Sequence, residues 1–142
     1  METSQSQSSL ENNGPENVEK YPGKDDNKLI TLHFQGCKIF VGLNALTNEK
    51  LVSEHKKLHK KCIWMHAYEA KGSHVIICLM GKEGLVEDIV FRRAMDLTTS
   101  FSVYKEEQAK KIVWSELQDV FKPIEGICGV WKTYKQNNVL TM

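Results

Sequence analysis

The sequence predicts a single mixed α+β domain, a β-sheet packed by two amphipathic helices, preceded by a disordered N-terminal tail. Three observations carry that expectation. The first is size, because 142 residues and 16.3 kDa suit one hydrophobic core rather than two. The second is the order of patterns: two strand-like runs, a helix, two more strand-like runs, a second helix, then three strands. That order is neither strict βαβ alternation nor all-β. The third is a change of composition at Lys28. Residues 1–27 hold six acidic side chains and two lysines, with Met1, Leu10, Val18 and Tyr21 as their sizeable apolar groups. Such a stretch buries too little apolar surface to offset the entropy of ordering it. The expected division is therefore a tail, 1–27, and a domain, 28–142.

Each element of the domain has its own signal. Leu29, Ile30, Leu32 and Phe34 read as one strand and Cys37 to Val41 as a second, joined at Gln35-Gly36, with Gly42 closing the hairpin. Asn44 or Thr47 suits the N-cap of a helix running to about Lys60, with Leu51, Val52, His55 and Leu58 as its apolar arc. At 100° per residue, Lys50, Lys57 and Lys61 fall within roughly 40° of one another beside that arc, a basic stripe. Cys62 to Tyr68 and His74 to Met80 are rich in aromatic and β-branched residues and read as strands around a loop containing Lys71-Gly72. The unbroken apolar run Val75 to Met80 suggests a strand covered on both faces.

A second helix, from about Leu85 to Ser102, is expected to bury Val86, Ile89, Val90, Ala94, Leu97 and Phe101, with Asp88, Arg92 and Asp96 as a charge ladder outside. Lys105 to Lys111 reads as a polar connection and Lys111 to Trp114 as a strand. Phe121 to Gly126 is loop chemistry. A final hairpin is expected to join Ile127–Lys135 to Val139–Met142 around Gln136-Asn137-Asn138.

The net charge of +1 hides a segregation of charge, −4 on residues 1–27 and +5 on residues 28–142, where 17 basic residues face 12 acidic ones. The N-terminus lacks a basic start and an apolar h-region, and the longest unbroken apolar run is six residues, which excludes a membrane-spanning helix. The expectation is a protein without membrane attachment, cytoplasmic or nuclear. The four cysteines, Cys37, Cys62, Cys78 and Cys128, are widely spaced with no C-x-x-C pair and read as reduced core residues. Cys62-x3-His66 and His74-x3-Cys78 are mirror images about Ala70. A hairpin there sets Cys62 opposite Cys78 and His66 opposite His74. Four residues of strand cover roughly 13 Å, too far for all four to reach one zinc ion at about 2.0 to 2.3 Å, so no metal site and no cofactor is expected.

No nucleophile elbow, phosphate-binding loop or dinucleotide fingerprint occurs. An enzyme reading rests on His66 and His74 as an acid–base pair acting on a phosphodiester, with Glu69 as orienter. A nucleic-acid reading rests on the basic domain, the lysine stripe, and aromatics such as Trp64 or Trp131 as stacking platforms. A protein-interaction adaptor with an acidic arm is the third reading.

The order of short motifs adds to this. Val41-Gly42-Leu43-Asn44-Ala45 with Asn48, then Trp64-Met65-His66-Ala67, then Gly72-Ser73-His74-Val75, then Ser100 to Ser102, then Lys122-Pro123 with Gly129, resembles the NFACT-R domain, the RNA-binding module of the NFACT family. The resemblance covers about residues 37–142. It implies a non-catalytic, stand-alone RNA-binding module associated with ribosomes or translation quality control. RNA, rRNA or tRNA included, would be its partner, with DNA as a further possibility. The residues expected at the nucleic-acid surface are Lys50, Lys57, Lys61, Trp64, His66, Lys71, Ser73, His74 and Lys122. The sequence departs from the family pattern at Leu43, Cys62 and Lys71, where a basic residue, an acidic residue and a proline are more usual.

Overall fold

The computed structural model describes residues 16–20, 28–59, 61–79 and 86–142. In chain order the elements are β1 (Glu16–Lys20), β2 (Leu29–Phe34), β3 (Cys37–Gly42), α1 (Ala45–Lys57), β4 (Cys62–Ala67), β5 (Lys71–Gly72), β6 (Val75–Cys78), α2 (Asp88–Ser100), β7 (Ser102–Val103), β8 (Lys111–Glu116), β9 (Val120–Phe121), β10 (Lys132–Thr133) and β11 (Val139–Thr141). A 3-10 turn, Leu117–Asp119, joins β8 to β9. The class is mixed α+β. The main sheet has the order β1-β2-β3-β6-β4-β8-β11, with every neighbouring pair antiparallel.

β6 sits at the centre of this sheet, and all four of its residues are buried. Alternation along a strand divides them between two faces. Val75 and Ile77 join a cluster with Ile39, Val41 and Met65, together with Val90, Ala94 and Leu97 of α2. Ile76 and Cys78 join a second cluster with Trp64, Val113 and Val120, together with Leu51 and Val52 of α1. The continuous apolar run thus belongs to a strand with a core on each side.

The β2–β3 hairpin turns through Gln35 (φ 52°) and Gly36 (φ 76°), the paired left-handed geometry of a two-residue turn that matches strand twist. Asn44 caps α1: its Oδ1 accepts the Thr47 N–H at 2.8 Å while Thr47 Oγ1 accepts the Asn44 N–H at 3.1 Å. β4 and β6 pair about Ala70, with Cys62 opposite Cys78 and Met65 opposite Val75.

Six expectations are corrected. α1 ends at Lys57, so Leu58 is its C-cap and stands 63% exposed instead of continuing the apolar arc. Lys61 lies beyond the helix, just before β4, and the stripe with Lys50 and Lys57 is not built. α2 ends at Ser100, and Phe101 turns outward, 39% exposed. The final hairpin does not form, because β10 pairs with β9 in a separate two-stranded sheet while β11 pairs with β8 at the edge of the main sheet. Cys128 is exposed, unlike the other three cysteines. Within the stretch expected to lie outside the domain, residues 16–20 form the edge strand β1, paired with β2 from Glu16↔Phe34 to Lys20↔Ile30. Backbone pairing of this kind needs no apolar side chain. The rest of that stretch lies outside the described residues.

Candidate functional site

The site is built around His74, which enters β6 from the β5 side and is 2% exposed. Trp64 Nε1–H donates to His74 Nδ1 at 2.9 Å, and His74 Nε2 lies 3.0 Å from the Gly129 carbonyl. An indole nitrogen only donates and a carbonyl only accepts, so the ring is neutral with its proton on Nε2. Burial pushes its pKa well below the ordinary histidine value, and the neighbouring His66 adds to the shift.

The His74 backbone is tied as firmly. Its N–H donates to Asn48 Oδ1 at 3.1 Å and its carbonyl accepts the Gly42 N–H at 3.1 Å. A Cβ on Gly42 would lie 2.1 Å from Asn48 Oδ1, so the glycine is what lets the amide reach the strand. Gly129 holds φ +80° and passes so close to α1 that a Cβ would meet the Ala45 carbonyl at 2.7 Å. Its N–H donates to Glu49 Oε1 at 2.8 Å. Lys122 Nζ donates to the same carboxylate at 2.5 Å and to the Ile127 carbonyl at 2.6 Å, and lies 4.9 Å from the Trp131 ring centroid. Burial opposes ionisation of Glu49, but Lys122 and the Gly129 N–H outweigh it and hold its pKa below the usual value. Residues 122–131 are thereby strapped over the first turns of α1.

His66 is stacked on Trp64, with centroids 6.1 Å apart and planes at 5°, and lies 4.5 Å from the His74 ring. Its Nδ1 donates to the Ala67 carbonyl at 2.8 Å, and burial lowers its pKa against the opposing pull of the Ala67 and Gly72 backbone. In front of these rings opens a groove of about 770 Å³. Its walls include His66, Tyr68, Ser73, Phe101 and Trp131, with Lys71, Lys132 and Gln136 among its exposed residues. That volume is in the range of small-molecule and cofactor sites. Ser73 is 6% exposed, and its hydroxyl makes no hydrogen bond among the described residues. Gly72 packs against Ser102 and lets β5 pair with β7.

The expected surface residues therefore separate. Trp64, His66, Lys71, Ser73 and His74 line one groove; Lys50, Lys57, Lys61 and Lys122 do not. Trp64 is 1% exposed with its N–H committed, so it is a core residue and no stacking platform. His74 is a core tie. Lys122 is neutralised by Glu49. Tyr68, Phe101, Lys132 and Gln136 were missed, and only Phe101 and Tyr68 carried a signal, as aromatics at strand and helix ends. Cys62 and Cys78 meet at one end of the β4–β6 pair and the two histidines at the other, so the four do not converge. No group of three or more His, Cys, Asp or Glu placed to hold a metal ion occurs among the described residues. Among them, too, no helix is long and apolar enough to cross a membrane.

No family model matches the chain, and no curated protein matches it. Solved structures do, among them the C-terminal part of the fibronectin/fibrinogen-binding protein from Streptococcus suis, at 28% identity and a TM-score of 0.60. The match covers 74% of this chain and 40% of that one, so the chain corresponds to less than half of that structure.

Proposed function

We propose that this chain is a non-catalytic RNA-binding module, that the groove before His66 and Ser73 receives single-stranded RNA, and that ribosome-associated RNA is its class of partner. The observation that carries this reading is the groove itself, where exposed lysines 71 and 132 flank aromatic and apolar walls around the Ser73 hydroxyl. Lysines attract phosphates without regard to sequence, aromatic faces stack bases, and an unpartnered hydroxyl is ready for a base edge or a phosphate oxygen. The order of motifs in the sequence supports the same class, since Gly42, Asn48, His74 and Gly129 are the residues that shape the groove floor. A phosphodiester-cleaving pair of histidines is disfavoured, because His74 commits both ring nitrogens to protein partners.

The adaptor reading draws on the apolar part of the same wall, where Leu43, Phe101, Val103 and Val130 are exposed, and on the name of the similar streptococcal protein, a fibronectin/fibrinogen-binding protein. Salt separates the two readings. Fluorescence titration of a labelled single-stranded RNA should show affinity falling linearly in log–log form with salt. Lys71→Glu with Lys132→Glu should weaken binding about tenfold or more and flatten the slope by roughly 1.4, at about 0.7 per phosphate contact. Ser73→Ala should weaken binding while stability stays within about 1 kcal/mol. Lys50→Glu with Lys57→Glu, outside the groove, should leave the slope unchanged. A slope that responds to the α1 pair and ignores the groove pair would move the interface to the helix.

A further inference from the structure

We propose that Cys62 and Cys78 are a thiol–disulfide site, forming a reversible cross-strand bond at the end of the sheet remote from the groove. The two residues are directly opposed in the register of β4 against β6, are buried on the same face, and bring their sulfurs to 2.9 Å. Directly opposed residues of an antiparallel pair have Cα atoms about 4.5 to 5.5 Å apart. That separation falls inside the span of roughly 4.4 to 6.8 Å that disulfides bridge, so the bond closes without moving the strands.

The other two cysteines are placed elsewhere. Cys37 is buried in the cluster on the α2 face, and Cys128 is exposed beside α1, where its Sγ–H donates to the Ala45 carbonyl at 3.4 Å. Access comes from position. Cys62 is the first residue of β4 and Cys78 the last of β6, 5% and 8% exposed, and strand ends open locally more readily than strand centres.

With oxidised glutathione as the oxidant, one cysteine thiolate attacks a glutathione sulfur and releases one glutathione thiolate. The second cysteine thiolate then attacks the protein sulfur of the mixed disulfide and displaces the other glutathione. Two electrons pass from the cysteine sulfurs to glutathione, and the two thiol protons end on the released glutathiones. The bond fastens the strand pair whose opposite ends carry His66 and His74, and a cross-link of this kind stabilises chiefly by restricting the unfolded chain. The proposal is independent of the RNA reading.

The test uses the full chain in its native state. It is equilibrated with oxidised glutathione and alkylated, and its intact mass and linked peptides are read by mass spectrometry. The expected result is the loss of two alkylatable thiols, a Cys62–Cys78 peptide, and a Tm raised by several degrees and restored by dithiothreitol. Cys37→Ser with Cys128→Ser should preserve all three. Four alkylatable thiols, lasting glutathione adducts without an internal link, or a link through Cys37 or Cys128 would overturn the proposal. The wild-type measurement decides the matter even where a Cys62 or Cys78 variant does not fold.

Discussion

His74 commits each of its polar atoms to a different part of the chain: the ring to Trp64 and Gly129, the N–H to Asn48, the carbonyl to Gly42. Removing the ring leaves the Trp64 indole N–H and the Gly129 carbonyl without their partner, and each buried group so orphaned costs about 1 to 3 kcal/mol. The same ring makes stability depend on pH. Its pKa is depressed well below 6.5 by burial first and His66 second, and that of His66 is lowered as well. Below about pH 6.5 the unfolded chain therefore binds more protons than the folded one, and stability rises with pH. The contribution is complete above about pH 6.5 and is lost as pH falls toward the depressed folded values. The Glu49 shift has the same sign but acts below 4.5, its ordinary value, where a carboxylate held by Lys122 and Gly129 takes up its proton. Urea midpoints should therefore fall between pH 7 and pH 5, and His74→Asn should both lower the pH 7 stability and flatten that decline. A variant whose decline matched the wild type would place the titrating group elsewhere.

At the scale of elements, what could be read from the sequence was local. The Gln35-Gly36 turn and the helix cap at Asn44 or Thr47 depend on residues a few positions apart, and the mirror symmetry about Ala70 spans the sixteen positions from Cys62 to Cys78; each appears in the structure, the cap at Asn44. What could not be read was competition between distant partners. β10 and β11 are two and three residues long, too short to choose one another; β10 goes to β9 in a small separate sheet and β11 to β8 at the edge of the main sheet. The groove was legible only in part for the same reason. Its floor follows in part from motif residues in β3, in α1 and at the entry to β6, while Lys132 and Gln136 follow the strap, residues 122–131, that Glu49, Lys122 and Gly129 hold across 73 and 80 positions of sequence. β1 escaped notice because a strand can be recruited by the backbone of an edge. Truncation of residues 1–20 tests this. Amides of β2 that face β1 should lose protection in hydrogen exchange, those that face β3 should keep it, and β6 should be unaffected. Uniform loss across β2, β3 and β6 would instead make β1 part of the cooperative core.

Over the whole molecule, charge is divided more sharply than the near-neutral total suggests, with −4 on residues 1–27 and +5 on residues 28–142. If the proposed RNA reading holds, the RNA phosphate chain and the chain's own acidic N-terminal residues are two negative fields competing for the basic residues 28–142, the second tethered and so at high effective concentration. Glu16 and Glu19 belong to β1 and should be left in place so that the sheet edge is not altered. Glu2→Gln, Glu11→Gln, Asp25→Asn and Asp26→Asn together remove four negative charges and bring residues 1–27 to neutrality. RNA affinity at about 50 mM salt should then rise by roughly two- to fivefold. The Debye length shrinks from about 10 Å at 0.1 M to about 3 Å at 1 M, so the gain should fade toward high salt. Titrations of wild type and the four-site variant against the same RNA, across a salt series, measure both. Convergence of the two curves at high salt marks electrostatic competition. A gain that persists there would mean that the segment covers the groove by contact, and no gain at low salt would mean that it does not compete at all.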